Sequence, residues 1–190
     1  MRIISGSHRG RVIHPPTNLR ARPTTDFAKE NIFNVLANYV DFEEIDVLDL
    51  FSGTGSIGYE FASRGAKSIT SVEVNAVHHN YIARTAREFG FNAIRAVRAN
   101  AFLYLKSTPQ HFDVVFSDAP YDLSGSEQVV ELVFGRGLLN PGGILVFEHS
   151  KGVDLSAHPR FLFMKSYGSV YFSVFQNDED NTPDIDHEKI

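Results

Sequence analysis

The stretch Ile45-Asp-Val-Leu-Asp-Leu-Phe51, followed at once by Ser52-Gly53-Thr-Gly55-Ser-Ile-Gly58, limits the fold more than any other part of this chain. An apolar run breaks into a glycine turn and a new apolar-periodic segment begins, which is how a buried strand feeds a helix in an α/β sheet. The glycines match the G-x-G-x-x-G string, and Glu73 follows Gly53 by 20 residues. At that spacing a carboxylate falls at the end of the next strand, where it can accept hydrogen bonds from ribose hydroxyls. Glycines of this pattern also serve a bare strand-to-helix turn, so their surroundings decide what they hold.

Further along, short apolar runs alternate with amphipathic segments. Strands are expected at Ser68-Ile-Thr-Ser-Val-Glu73, Ile94-Arg-Ala-Val-Arg98, Asp113-Val-Val-Phe-Ser-Asp118 and Gly143-Ile-Leu-Val-Phe-Glu148, with a helix from about Ala76 to Phe89. This order predicts an open α/β fold with a mostly parallel sheet. Residues 160–176, broken at Tyr167-Gly168, read as a closing antiparallel hairpin. Asp49, Glu73, Asp118 and Glu148 stand at or near strand ends. In open parallel sheets ligands bind outside the carboxyl ends of the strands, so these acids should share one rim.

At 190 residues the chain has material for one domain and short additions, and its 43% apolar content suits a folded core. It contains no cysteine, which excludes disulfides, thiolate zinc sites and a cysteine nucleophile. No apolar run approaches the roughly 18 to 20 residues of a membrane span, and the start lacks the apolar core of a secretory signal, so a cytoplasmic protein without a membrane partner is expected. The net charge of -5 is unevenly spread. A basic head with the first helix, residues 1–40, and an acidic tail, residues 177–190, bracket a mildly acidic α/β body at 41–176. The tail has little apolar material to pack and reads as a solvated, disordered end.

Two features narrow the ligand. Asp49 precedes Gly53 by four residues, where a dinucleotide enzyme would need room for an anionic pyrophosphate. A carboxylate there repels phosphate and favours a cation, so the loop suits S-adenosylmethionine, with its sulfonium and ammonium, better than NAD. The second feature is Ser117-Asp118-Ala119-Pro120-Tyr121. It resembles the (Asp/Asn/Ser)-Pro-Pro-(Tyr/Phe/Trp) motif of methyltransferases acting on exocyclic or amide nitrogens. Such a nitrogen has a delocalised lone pair, so acceptors must hold its N–H groups: the Asp118 carboxylate and the Ala119 carbonyl would do so, with the Tyr121 ring stacking on the base. Ala119 replaces the motif's first proline, which keeps the carbonyl but loosens the loop by about 0.4 to 1 kcal/mol.

The head of the chain carries a more specific likeness. Met1-Arg-Ile-Ile-Ser-Gly6, His8-Arg-Gly-Arg11, Leu19-Arg-Ala-Arg-Pro-Thr-Thr-Asp26 and Lys29-Glu-Asn-Ile-Phe-Asn34 resemble the N-terminal signature of the bacterial 16S ribosomal RNA guanine-N2 methyltransferases, the RsmD-like family. Asp49 to Gly58, Ser63-Arg-Gly65, Asp118 to Tyr121, Glu148-His149 and Tyr167-Gly168 continue the likeness across residues 1–176. It implies a Rossmann-like class I S-adenosylmethionine-dependent methyltransferase fold with a small basic N-terminal extension. The implied reaction is methyl transfer to N2 of a guanine in 16S rRNA, within a small-subunit precursor.

Carried over residue by residue, the likeness puts Arg22, Thr24, Thr25 and Asp26 over the methionine end of the cofactor. Asp49, Phe51, Gly53, Thr54, Gly55 and Gly58 form the loop around it, Glu73 holds the ribose, and Asn100-Ala101 stands where the adenine contact is usually an Asp followed by Ala. Asn100 equally suits a helix N-cap for residues 101–107. Arg9 and Arg11 would touch RNA phosphates, or are surface arginines. The histidines show no metal-ligand spacing, so no metal is expected; His149 alone lies near the proposed rim. Competing readings on the same fold are an NAD oxidoreductase, a non-catalytic RNA-binding assembly factor, and a nitrogen methyltransferase acting on DNA adenine or protein glutamine.

Overall fold

The computed structural model describes residues 1–17, 19 and 24–178. Its strands are β1 (Asp46–Leu50), β2 (Ser68–Glu73), β3 (Ile94–Arg98), β4 (Phe112–Ser117), β5 (Leu139–His149), β6 (Phe161–Tyr167) and β7 (Val170–Gln176). They form one seven-stranded sheet in the order β3-β2-β1-β4-β5-β7-β6. The first five strands pair in parallel, and β7 runs antiparallel between β5 and β6. Strand order reverses between β1 and β4, and that reversal opens a crevice at their carboxyl ends.

The helices are α1 (Asp26–Leu36), α2 (Ser56–Ser63), α3 (Ala76–Phe89), α4 (Ala101–Ser107) and α5 (Gln128–Gly135). Successive strand residues point to opposite faces, and in β1 both Val47 and Leu48 are fully buried, so both faces are covered. Ile32 and Phe33 of α1 and Phe61 of α2 pack with Val47, Val114 and Phe116 on one face. Leu105 of α4 and Val129 and Val133 of α5 pack with Leu48, Val115 and Leu145 on the other. Truncating a fully buried ring such as Phe116 to alanine would cost about 3–5 kcal/mol.

Two elements depart from the reading of the sequence. β5 begins at Leu139 rather than Gly143, because the ladder resumes at Val114 and Ile144 after pairing Phe112 with Leu139, so the Pro141-Gly142-Gly143 stretch is a bulge within the strand. β4 closes at Ser117, which leaves Asp118 as the first residue beyond the strand.

Residues 1–13 fold back on themselves. Ile3 N–H donates to the Arg11 carbonyl and Ile13 N–H to the Met1 carbonyl, each at 2.9 Å. Ile3 and Ile13 pack with Tyr59, Tyr81, Ile82 and Phe91. The turn of this hairpin lies at the C-terminal ends of α2 and α3, where Ser7 N–H donates to the Ser63 carbonyl at 2.7 Å and His8 Nε2 to the Phe89 carbonyl at 2.9 Å. The hairpin is tied down by Glu60, which is fully buried and accepts from Ile4 N–H (2.9 Å), Ser5 N–H (3.1 Å) and Arg64 Nε (2.9 Å). Buried Lys29 of α1 stands 3.8 Å from Glu60 and donates to the Arg2 carbonyl at 2.7 Å.

Candidate active site

A cavity of about 720 Å³ opens at the carboxyl ends of β1, β2, β4 and β5. Asp49, Glu73, Asp118 and Glu148 all line it, as their places at strand ends require. Thr24, Thr25 and Phe27 close it from the start of α1, and Tyr167 to Val170 close it from the turn between β6 and β7. Two segments about 140 residues apart in sequence thus reach over the rim of the sheet.

On the β1 side, Asp49 is 1% exposed, with Ser71 Oγ donating to it at 3.4 Å. Burial pushes its carboxyl up to about 7, against the lowering effect of hydrogen bonds that include the Gly58 amide. No Lys or Arg among the described residues pairs with it. The glycines divide the work. A Cβ on Gly58 would stand 2.9 Å from Ser71 Oγ and 3.2 Å from Asp49 Oδ2, so only glycine lets α2 lie this close to the strands. Gly55, at φ +87°, starts α2 in a left-handed conformation, and a Cβ there would meet the Tyr59 ring at 2.6 Å. Gly53 and Thr54 line the cavity; Gly55 and Gly58 set the packing behind it. Phe51 also lines it from a positive φ of 57°, rare for a side chain of this size, with its ring edge-on to Phe102 at 5.9 Å.

Glu73 is held from two sides, its Oε2 accepting from Gly53 N–H at 2.8 Å and its Oε1 from Asn75 N–H at 2.7 Å. Each carboxylate oxygen keeps acceptor capacity for a diol beyond these bonds.

On the β4 side, Asp118 and Ala119 are followed by Pro120 and Tyr121, and all four line the cavity. Tyr121 is 38% exposed, and its hydroxyl donates to Glu148 Oε1 at 3.1 Å. The Thr24 hydroxyl lies 3.1 Å from Glu148 Oε2 and 3.3 Å from Asp118 Oδ2. Burial first, and then the like charge of Glu148, push the Asp118 carboxyl well above the usual carboxylate range.

The remaining expected site residues are divided between the cavity wall and other places. Thr25 lines the cavity but also caps α1, accepting from Ala28 N–H at 3.1 Å, while Asp26 turns to Arg2 at 3.7 Å and does not line the cavity. Asn100 caps α4, accepting from Leu103 N–H at 3.1 Å, and neither it nor Ala101 reaches the cavity wall. Arg22 and the tail from residue 179 lie outside the described residues. Arg9 and Arg11 belong to the hairpin at the far end of α3, with the Arg11 guanidinium 5.8 Å from the Phe89 ring centre. Fourteen residues of α3 separate that end from the rim, a rise of about 21 Å. His149 points away: its Nδ1 lies 2.9 Å from the Ser150 carbonyl and its Nε2 2.8 Å from Ser173 Oγ, and burial lowers its pKa. Among the described residues no group of His, Asp or Glu is placed to hold a metal, and no helix is long and apolar enough to cross a membrane.

The cavity also takes in Phe27, Val74, Asn75, His78 and Tyr167, which the sequence reading gave no role in the site. Val74 and Asn75 follow a strand end, a position that carries a signal of its own. Phe27 and Tyr167 meet edge to face at 6.2 Å across 140 residues of sequence, a contact no local pattern announces.

Residues 1–176 match the family described as conserved hypothetical protein 95. Ribosomal RNA small subunit methyltransferase D of Escherichia coli K12 is 32% identical over 192 residues, covering 98% of this chain and 94% of that protein. The protein of the same name from Haemophilus influenzae is 31% identical over 183 residues, covering 93% and 94%. Among solved structures, the yhhF protein of Escherichia coli superposes with a TM-score of 0.82 at 25% identity, over 94% of this chain and 98% of its own.

Proposed function

The chain belongs to the conserved hypothetical protein 95 family, that of the ribosomal RNA small subunit methyltransferases D, and we propose that it methylates N2 of a guanine in 16S rRNA, within a small-subunit precursor in the cytoplasm. One observation carries the reading: Asp49, Glu73 and the loop from Asp118 to Tyr121 open onto a single cavity.

The residues present fit S-adenosylmethionine as the cofactor. Asp49 is a buried carboxylate without a described cation, and the ligand brings a sulfonium and an ammonium while requiring no phosphate cradle. Asp49, Phe51, Gly53, Thr54 and Glu73 would hold it, with Thr24 and Thr25 closing over it. When bound, it supplies an electrophilic methyl group on sulfur and leaves as a neutral thioether.

The chain's own residues handle the amine. Asp118 and the Ala119 carbonyl accept from its two N–H groups, which orients the nitrogen lone pair toward the cofactor side of the cavity. The nitrogen exchanges one N–H bond for an N–C bond, and Asp118 accepts the released proton, a role that suits a carboxyl whose pKa is already raised. The Tyr121 ring, partly exposed at the mouth, offers a stacking face for a base turned out of its helix. Arg9 and Arg11, a helix length away, would meet phosphates of flanking RNA.

The test is to incubate the purified protein and labelled S-adenosylmethionine with small subunits that lack the modification, then digest the rRNA and identify the labelled nucleoside by mass. N2-methylguanosine is expected. Label on another base, or none, would overturn the reading.

A further inference from the structure

We propose that Glu148 is a positioning residue for the target base: one carboxylate oxygen holds Tyr121, and the other competes with Asp118 for the Thr24 hydroxyl. The inference rests on the functional reading above and adds a residue to it. β5 pairs with β4 so that Phe147 faces Ser117, which sets Glu148 and Asp118 side by side as the next residues along. Glu148 is 5% exposed. Its Oε1 takes the Tyr121 hydroxyl and its Oε2 the Thr24 hydroxyl, both at 3.1 Å.

Asp118 and Glu148 meet side chain to side chain, and the Thr24 hydroxyl lies within reach of both. Thr24 has one hydroxyl hydrogen and two carboxylates within reach, Glu148 at 3.1 Å and Asp118 at 3.3 Å. Given to Glu148, that hydrogen leaves Asp118 Oδ2 able to accept from the target amine. Without Glu148, Thr24 would turn to Asp118 and occupy the acceptor that the amine needs. The second oxygen fixes a ring. The motif at this loop admits Tyr, Phe or Trp, so the hydroxyl is not required for stacking; here it is anchored on Glu148, which restricts the ring to one orientation at the cavity mouth.

Steady-state methylation kinetics and equilibrium binding of unmodified small subunits, measured for five proteins, test this. Relative to the wild type, Glu148→Ala should lower kcat by about 30-fold and raise KM and Kd for the subunit by about 5-fold, with cofactor affinity within about 2-fold. Tyr121→Phe should raise KM and Kd by about 5-fold and spare kcat, and adding it to Glu148→Ala should change nothing further. Glu148→Gln should recover most of the loss, since its carboxamide oxygen still accepts from Thr24 while its amide group donates to the Tyr121 hydroxyl oxygen. Wild-type kcat and KM in Glu148→Ala would overturn the proposal, as would effects of Tyr121→Phe and Glu148→Ala that multiply. Should Glu148→Ala fail to fold, Tyr121→Phe alone decides, and an unchanged KM and Kd sinks the idea. A wild-type protein that binds subunits without methylating guanine N2 refutes the functional reading instead.

Discussion

Two sets of inward-facing acids in this molecule are treated in opposite ways. Glu60 is wrapped in donors: two backbone amides of the N-terminal hairpin, the Arg64 guanidinium and, slightly farther, the Lys29 ammonium. Asp49 is as deeply buried and Asp118 half-buried, yet no Lys or Arg among the described residues pairs with either. A buried charge that is fully paired and hydrogen-bonded fixes structure, whereas one without a countercharge stores an unfavourable energy that a cationic ligand can relieve. Burial alone therefore does not mark a functional carboxylate. What surrounds it does.

The largest effect should come from breaking the satisfied cluster. Glu60→Ala leaves Lys29 buried beside an absent partner and the Ile4 and Ser5 amides without their acceptor, so stability should fall by about 3–5 kcal/mol in chemical denaturation, with activity per folded molecule retained. A loss below about 1 kcal/mol would erase the contrast. Next comes Asp118→Ala, which should cut turnover by at least about 10² while cofactor affinity and melting temperature change little; Asp118→Asn, which keeps an acceptor oxygen, should be milder.

Asp49→Asn should weaken S-adenosylmethionine binding by about 1–3 kcal/mol and leave the ligand-free protein no less stable above pH 7, a combination that calorimetric titration and thermal melts read separately. The sign follows from its carboxyl being pushed up to about 7. In the empty protein this group contributes stability that is present at acid pH and fades as pH rises toward 7, because the unfolded chain releases the same proton far earlier. A bound cation favours the ionised form, so cofactor affinity should climb between about pH 6 and 8 in the wild type and be flatter in Asp49→Asn. An identical pH profile in both would remove Asp49 from the cofactor site.

The smallest effect concerns Arg9 and Arg11. Replacing both with Ala should leave cofactor affinity unchanged and reduce the salt dependence of subunit binding by a slope of about 2 at most. No change in the slope would make them surface arginines.

Periodicity was enough to bound β2, α3 and β3, because each joins a clean apolar pattern to a definite stop: Glu73 before Asn75, Gly90 after Phe89, Asn100 after Arg98. It missed α5, whose Val129-Val-Glu-Leu-Val-Phe134 suits a short strand as well as a helix until the parallel sheet demands a crossover. It also started the fifth strand at Gly143, where the chain bulges and continues a strand begun at Leu139. At the site, the acids on strand ends were legible because parallel strands deliver them to one rim. Whether an acid has a partner was not, since Glu60 and Asp49 look alike in sequence and differ only in what distant segments bring to them. Thr24 illustrates the limit: its sequence neighbours suggest a cofactor contact, while its hydroxyl lies between Asp118 and Glu148.

The Phe27–Tyr167 contact closes the cavity with residues 140 positions apart in the chain. During synthesis, which proceeds from the N-terminus, the strand-end acids are all laid down by Glu148, but the wall supplied by Tyr167 to Val170 emerges later. A nascent chain halted before that turn would carry every acid of the rim and still lack the enclosure around them. Competence to hold a ligand should accordingly arise late and abruptly, so a ribosome releasing this protein early would yield a fragment with the sheet's inner strands and no working pocket.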